Sequence, residues 1–98
     1  MTIAEWRQKI DAIDAQLVEL LNQRAAMAQE IGRIKRASDL PIYEPDREKT
    51  IFNNIERANQ GPLRTSDLYH IFERIIDVMR SLQKLSPSTA DAQNLPKE

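Results

Sequence analysis

No cysteine occurs in the sequence. That excludes a disulfide framework and thiolate chemistry, and it fits a cytoplasmic protein. The single histidine, His70, reads as a surface residue, and no metal site is expected. Aromatic residues make up only 5% of the chain, too few for a stacking platform on single-stranded nucleic acid. Neither sign of charge dominates: 14 Lys and Arg face 15 Asp and Glu, a net charge of −1. There is therefore no general basic field for nucleic acid or an anionic membrane. No apolar run is long enough to cross a bilayer, and the stretch from Met1 to Arg7 has no apolar signal core. β-branched residues never alternate with polar ones, so the strand signature is missing too. An all-α fold is the default for these 98 residues, with one domain at most.

What the chain does have is a long stripe. Ile3, Trp6, Ile10, Ile13, Leu17, Leu20, Arg24, Met27, Ile31 and Ile34 follow one another in steps of three and four. This is a heptad seam, made to pack against other helices. The positions between are mostly Ala, Glu, Gln, Lys and Arg, which favour helix. A helix from Ile3 to about Ala37 is roughly 50 Å long at about 1.5 Å per residue, longer than so small a domain is wide. The seam is therefore expected to be covered by a second copy of the chain. Trp6, on that seam, reads as core and not as a binding platform.

The two glycines and five prolines punctuate the remainder. Ser38-Asp39-Leu40-Pro41 is a turn cluster. Pro45 suits a first helical position, with Asp46 and Glu48 in the first turn. This second helix would turn Ile51, Phe52, Ile55 and Ala58 inward and stop at Gln60-Gly61-Pro62. Thr65-Ser66-Asp67 offers an N-cap for a third helix. Its stripe is Leu68, Phe72, Ile75, Met79 and Leu82, widened by Ile71, Ile76 and Leu85. From Ser86 to Glu98 the chain lacks the apolar content to fold and is expected to be a disordered tail. The expected architecture is a three-helix protomer over residues 1–85, paired with a second copy through the first helix.

One seam position carries the wrong chemistry. Arg24 sits where a hydrophobe belongs, and a guanidinium there is costly unless an anion meets it. Lys35 lies eleven positions later, which returns to within about 20° of the same face, roughly 16 Å along the axis. The two side chains can grip one small anion between them. Arg7 lies seventeen positions before Arg24, roughly 25 Å away along the helix. It can reach the same ligand only across a dimer of antiparallel long helices. Singly, each cation has a plainer explanation. Lys35, with Arg33 and Arg36, complements a helix C-terminus. Arg7 has Glu5 and Asp11 as helical neighbours. Glu44, Arg47 and Glu48 can serve as capping charges.

Together the residues resemble a family. The segments Trp6-Arg7-Gln8-Lys9-Ile10-Asp11-Ala12-Ile13-Asp14, Leu20-Leu21-Asn22-Gln23-Arg24, Ile31-Gly32-Arg33-Ile34-Lys35 and Tyr43-Glu44-Pro45-Asp46-Arg47-Glu48 are similar to the all-helical class of chorismate mutase. In order and spacing they follow that family's R-x-x-I-D-x-I-D, L-L-x-x-R, I-x-x-x-K and (D/E)-x-x-R-E. The resemblance covers residues 3 to about 85. It implies an intertwined dimer with shared sites and rearrangement of chorismate to prephenate without cofactor or metal. By the same resemblance, Arg24 would bind a substrate carboxylate and Arg7 would reach in from the partner chain. Lys35 and Gln83 would donate to the ether oxygen. Glu48 would hold the ring hydroxyl, with Glu44 and Arg47 close by. Met79 stands where the family often has a small hydroxyl residue, and Glu44 where Asp is common.

Two other functions share parts of this pattern. An isochorismate-pyruvate lyase would share the fold and the cationic site, although the acidic pair Glu44 and Glu48 around Arg47 suits the mutase pattern better. A catalytically weak regulatory or dimerisation module would need the seam alone, and the Arg24, Lys35, Glu48 and Gln83 set does not follow from it. Nucleic-acid binding through Arg33, Lys35 and Arg36 is poorly supported: the run is short and lacks aromatics.

Overall fold

The computed structural model describes residues 1–85, which form three helices and, among the described residues, no strand. Helix α1 runs Ile3–Ala37, α2 runs Pro45–Ala58 and α3 runs Thr65–Lys84. The expected tail over 86–98 lies outside the described residues.

Local chemistry sets the ends. The Thr2 hydroxyl caps α1 by accepting from the Glu5 backbone N–H at 3.1 Å. At the other end Asp39 takes φ +54°, a left-handed conformation that Asp tolerates. The chain thereby doubles back, and Leu40 N–H donates to the Lys35 carbonyl at 2.8 Å. Pro45 opens α2, with Glu44 at the cap. The cap of α3 departs from expectation: it is Arg64, not a residue of the Thr65-Ser66-Asp67 run. Asp67 reaches back instead, accepting from Arg64 N–H at 3.2 Å and from its guanidinium at 3.0 Å. A forked guanidinium on a carboxylate outweighs a lone hydroxyl as a partner.

Helix α3 packs on α2 and on the C-terminal part of α1. The small apolar core is Ala28, Ile55, Ile76 and Met79. Phe52 and Tyr69 add an edge-to-face pair at 5.1 Å between ring centres. Ala58, expected inside, is exposed, because α2 ends there and the chain turns away. From Met1 to Gln23 no residue of α1 is buried by its own chain. Trp6, Ile10, Ile13 and Leu20 are each more than half exposed. A continuous apolar stripe of this size on one helix is what a partner surface looks like.

The α1–α3 crossing is unusually close. A Cβ built on Gly32 would lie 2.6 Å from the Gln83 Cα and 2.7 Å from its carbonyl oxygen. Only glycine permits this approach. Gly32→Ala gains about 1 kcal/mol of helix propensity but must displace backbone, an overpacking cost of roughly 1–3 kcal/mol. The variant is expected to unfold several degrees lower when thermal denaturation is followed by circular dichroism. A raised midpoint would show that the crossing is not tight.

Candidate functional site

The crossing of α1 and α3, closed on a third side by the start of α2, leaves a cavity of about 310 Å³. Its apolar lining includes Ala28, Ile51, Ile76 and Met79. Its polar lining brings together Arg24, Lys35, Glu44, Arg47, Glu48, Arg80 and Gln83. Five of these seven stand in the motifs quoted from the sequence and Gln83 is named by the resemblance; the seven arrive from all three helices and the α1–α2 connection.

Lys35 is the centre of the arrangement. Although charged, it is only 7% exposed. Burying an ammonium is costly unless its three donors are met, and here they are. Nζ donates to the Ile42 carbonyl at 3.1 Å and to Gln83 Oε1 at 3.2 Å, and pairs with the Glu44 carboxylate. One side chain thus ties α1 to the connection before α2 and to α3. Because Gln83 spends its carbonyl oxygen on Lys35, its amide NH₂ is the end left to donate to something else. Gln83 is fixed from behind as well: Arg36 donates to its backbone carbonyl.

Glu48 belongs to a second pair, with Arg80. Arg24 and Arg47 are left over. Neither makes an ion pair among the described residues, yet both line the cavity. The Arg24 guanidinium is held below the usual arginine range, first by burial and second by the nearby charge of Arg47. Arg24 is part-buried and Arg47 exposed, and two like charges lining one concavity attract anions. With four cations and two carboxylates in the lining, the excess is two positive charges, the complement of a dianion.

Met79 is 5% exposed and brings a thioether, not a hydroxyl, to the cavity wall. Arg7 does not join the cavity; it is exposed on the first turns of α1. His70 lies on the surface, 4.0 Å from Glu73. The sequence reading missed Arg80. The available signal was its place between Met79 and Gln83 on α3, beside the apolar stripe, but a basic residue at a stripe boundary is ordinarily a solvated one.

The comparisons agree with this geometry. The chorismate mutase type II family model matches residues 6–84. The bifunctional chorismate mutase/prephenate dehydratase of Aquifex aeolicus is 42% identical over 86 residues, spanning 84% of this chain and 24% of that protein. The chain thus spans about a quarter of the length of such bifunctional relatives. The chorismate mutase of Methanocaldococcus jannaschii is 32% identical over 83 residues, 84% of each chain. Among solved structures, form II of chorismate mutase from Thermus thermophilus superposes with a TM-score of 0.82 at 28% identity, covering 84% of this chain and 93% of that one. Chorismate mutase from Helicobacter pylori in complex with prephenate gives 0.78 at 26% identity, covering 96% and 97%. A match running from the first turns of α1 to the end of α3, on a fold shared with solved mutases, makes this chain a member of the chorismate mutase type II family.

Proposed function

We propose that the protein is a chorismate mutase, converting chorismate to prephenate in aromatic amino-acid biosynthesis. The observation that carries this reading is the cavity's pair of guanidiniums, Arg24 and Arg47, without counter-ions among the described residues, beside the buried Lys35 and its partner Gln83. Chorismate is a dianion with an ether oxygen between its two carboxylate-bearing parts. In the rearrangement one C–O bond breaks as one C–C bond forms within the same molecule. No proton, nucleophile or leaving group is involved. Catalysis therefore reduces to holding the compact reactive conformer and meeting the negative charge that grows on the ether oxygen.

Each side chain has a part in that scheme. Arg24 receives one carboxylate, with Arg47 adding positive charge on the same side of the cavity. When substrate enters, the Lys35 donor spent on the half-exposed Glu44 carboxylate in the free protein turns to the ether oxygen and a neighbouring carboxylate, and the Gln83 amide donates to the ether oxygen from the opposite side. Glu48 accepts from the ring hydroxyl and orients the ring; it is not a general base. Glu44 keeps Lys35 in place, and Met79 supplies an apolar wall where a hydroxyl contact is often found.

The second carboxylate falls to Arg7 of a partner chain. Met27 and Ile31 of α1, both lining the cavity, are 66% and 47% exposed, so that wall lies open in the single chain. The uncovered stripe from Trp6 to Leu20 supports a homodimer of antiparallel α1 helices. Such pairing brings the Arg7 end of one helix toward the Arg24 region of the other and closes the wall.

Lys35→Ala is expected to lose roughly 100–1000-fold in kcat, as for removal of one preorganised donor, while circular dichroism and gel filtration stay those of the parent. Near-parental turnover in this variant would remove the assignment. The parent is expected to consume chorismate and to leave isochorismate unchanged in a parallel pyruvate-release assay; pyruvate from isochorismate would favour the lyase. Arg7→Ala and Arg24→Ala, each inactive alone, are expected to regain up to about a quarter of the parental rate when mixed. Statistical exchange makes half of the dimers hybrid, each with one intact site. No recovery despite demonstrated subunit exchange would mean that each site is built from one chain.

A further inference from the structure

Arg80 is part-buried, with 27% of its side chain exposed, and three groups hold its guanidinium. Nη2 donates to Glu48 Oε2. Nη1 lies 3.5 Å from Asp77 Oδ1, one turn back on α3. Cζ stands 5.1 Å from the centre of the Tyr43 ring, within cation–π range. A guanidinium hydrogen-bonded at one terminal nitrogen, ion-paired at the other and faced by a ring is restrained, and it passes that restraint to Glu48.

We propose that Arg80 is a positioning residue that clamps Glu48 by one carboxylate oxygen, with Tyr43 holding the clamp. This rests on the reading of Glu48 as the acceptor for the substrate's ring hydroxyl. Two consequences follow from the clamp. It leaves the second Glu48 oxygen free in a set orientation for that hydroxyl. It also keeps the carboxylate away from Arg24 and Arg47. A released glutamate in a cavity with two guanidiniums lacking counter-ions would be drawn to them and would compete with the carboxylates of the substrate. Lysine at this position keeps a positive charge but has neither the fork nor the flat stacking face.

The test is a double-mutant cycle between Arg80→Met and Glu48→Gln. Its two readouts are chorismate turnover and the affinity for a bicyclic dicarboxylate inhibitor, which needs no turnover. Arg80→Met alone is expected to weaken inhibitor binding and raise KM by about tenfold, within the coupling seen for directly paired residues, and to lower kcat as well. In the Glu48→Gln background, where no carboxylate is left to stray, the same change is expected to move affinity less than about twofold. Arg80→Lys is expected to fall between parent and Arg80→Met. Tyr43 is 59% exposed, so Tyr43→Leu should fold even if Arg80→Met does not. It is expected to shift KM the same way by a smaller factor, with Tyr43→Phe unchanged. Equal losses from Arg80→Met in both backgrounds, or a Tyr43→Leu variant indistinguishable from the parent, would overturn the clamp while leaving the mutase reading intact. A parent that turns over no chorismate would overturn that reading, and the clamp with it.

Discussion

A single buried ammonium holds the site together. Lys35 could not sit at 7% exposure without partners for all three of its donors, and those partners come from three places in the chain. The Ile42 carbonyl and Glu44 fix the connection between α1 and α2, and Gln83 fixes the end of α3. Removing any one partner would leave a donor unsatisfied in a poorly hydrated place, the costly side of hydrogen-bond energetics. The absence of a side chain at Gly32 is part of the same device. It lets the Gln83 backbone come within reach of Lys35 one turn of α1 away.

Around that centre the charges are arranged unequally. Two carboxylates are already used, one on Lys35 and one on Arg80, and two guanidiniums are not. Arg24 and Arg47 lie near each other with like charge, and a dianion entering the cavity would sit between them.

The same helix that supplies Arg24 and Lys35 also leaves most of its length without intrachain cover. A three-helix chain this short has a core of four buried apolar side chains among the described residues, too little to stabilise a long helix alone. Folding and site assembly would thus share one requirement. Association through the seam would bury the stripe and would bring Arg7 within reach of a cavity that its own chain cannot offer it.

The amino-acid sequence alone determined the helices, their breaks and the seam, because helical periodicity and turn chemistry act over a few neighbouring residues. Arg24 stood out on the seam for the same reason, the ordered motifs pointed to Lys35, Glu44, Arg47 and Glu48, and the family resemblance added Gln83. The tertiary structure decided which charge meets which. It gave Glu44 to Lys35 and Glu48 to Arg80, and it left Arg24 and Arg47 to share the cavity. It drew Arg80 into the site, with Tyr43 against it, and showed why residue 32 is glycine. Such pairings depend on distances across helix crossings, which residue spacing along one helix does not encode. The cap of α3 shows this on a small scale: a run of three good capping residues lost to Arg64 because Asp67 could grip its guanidinium.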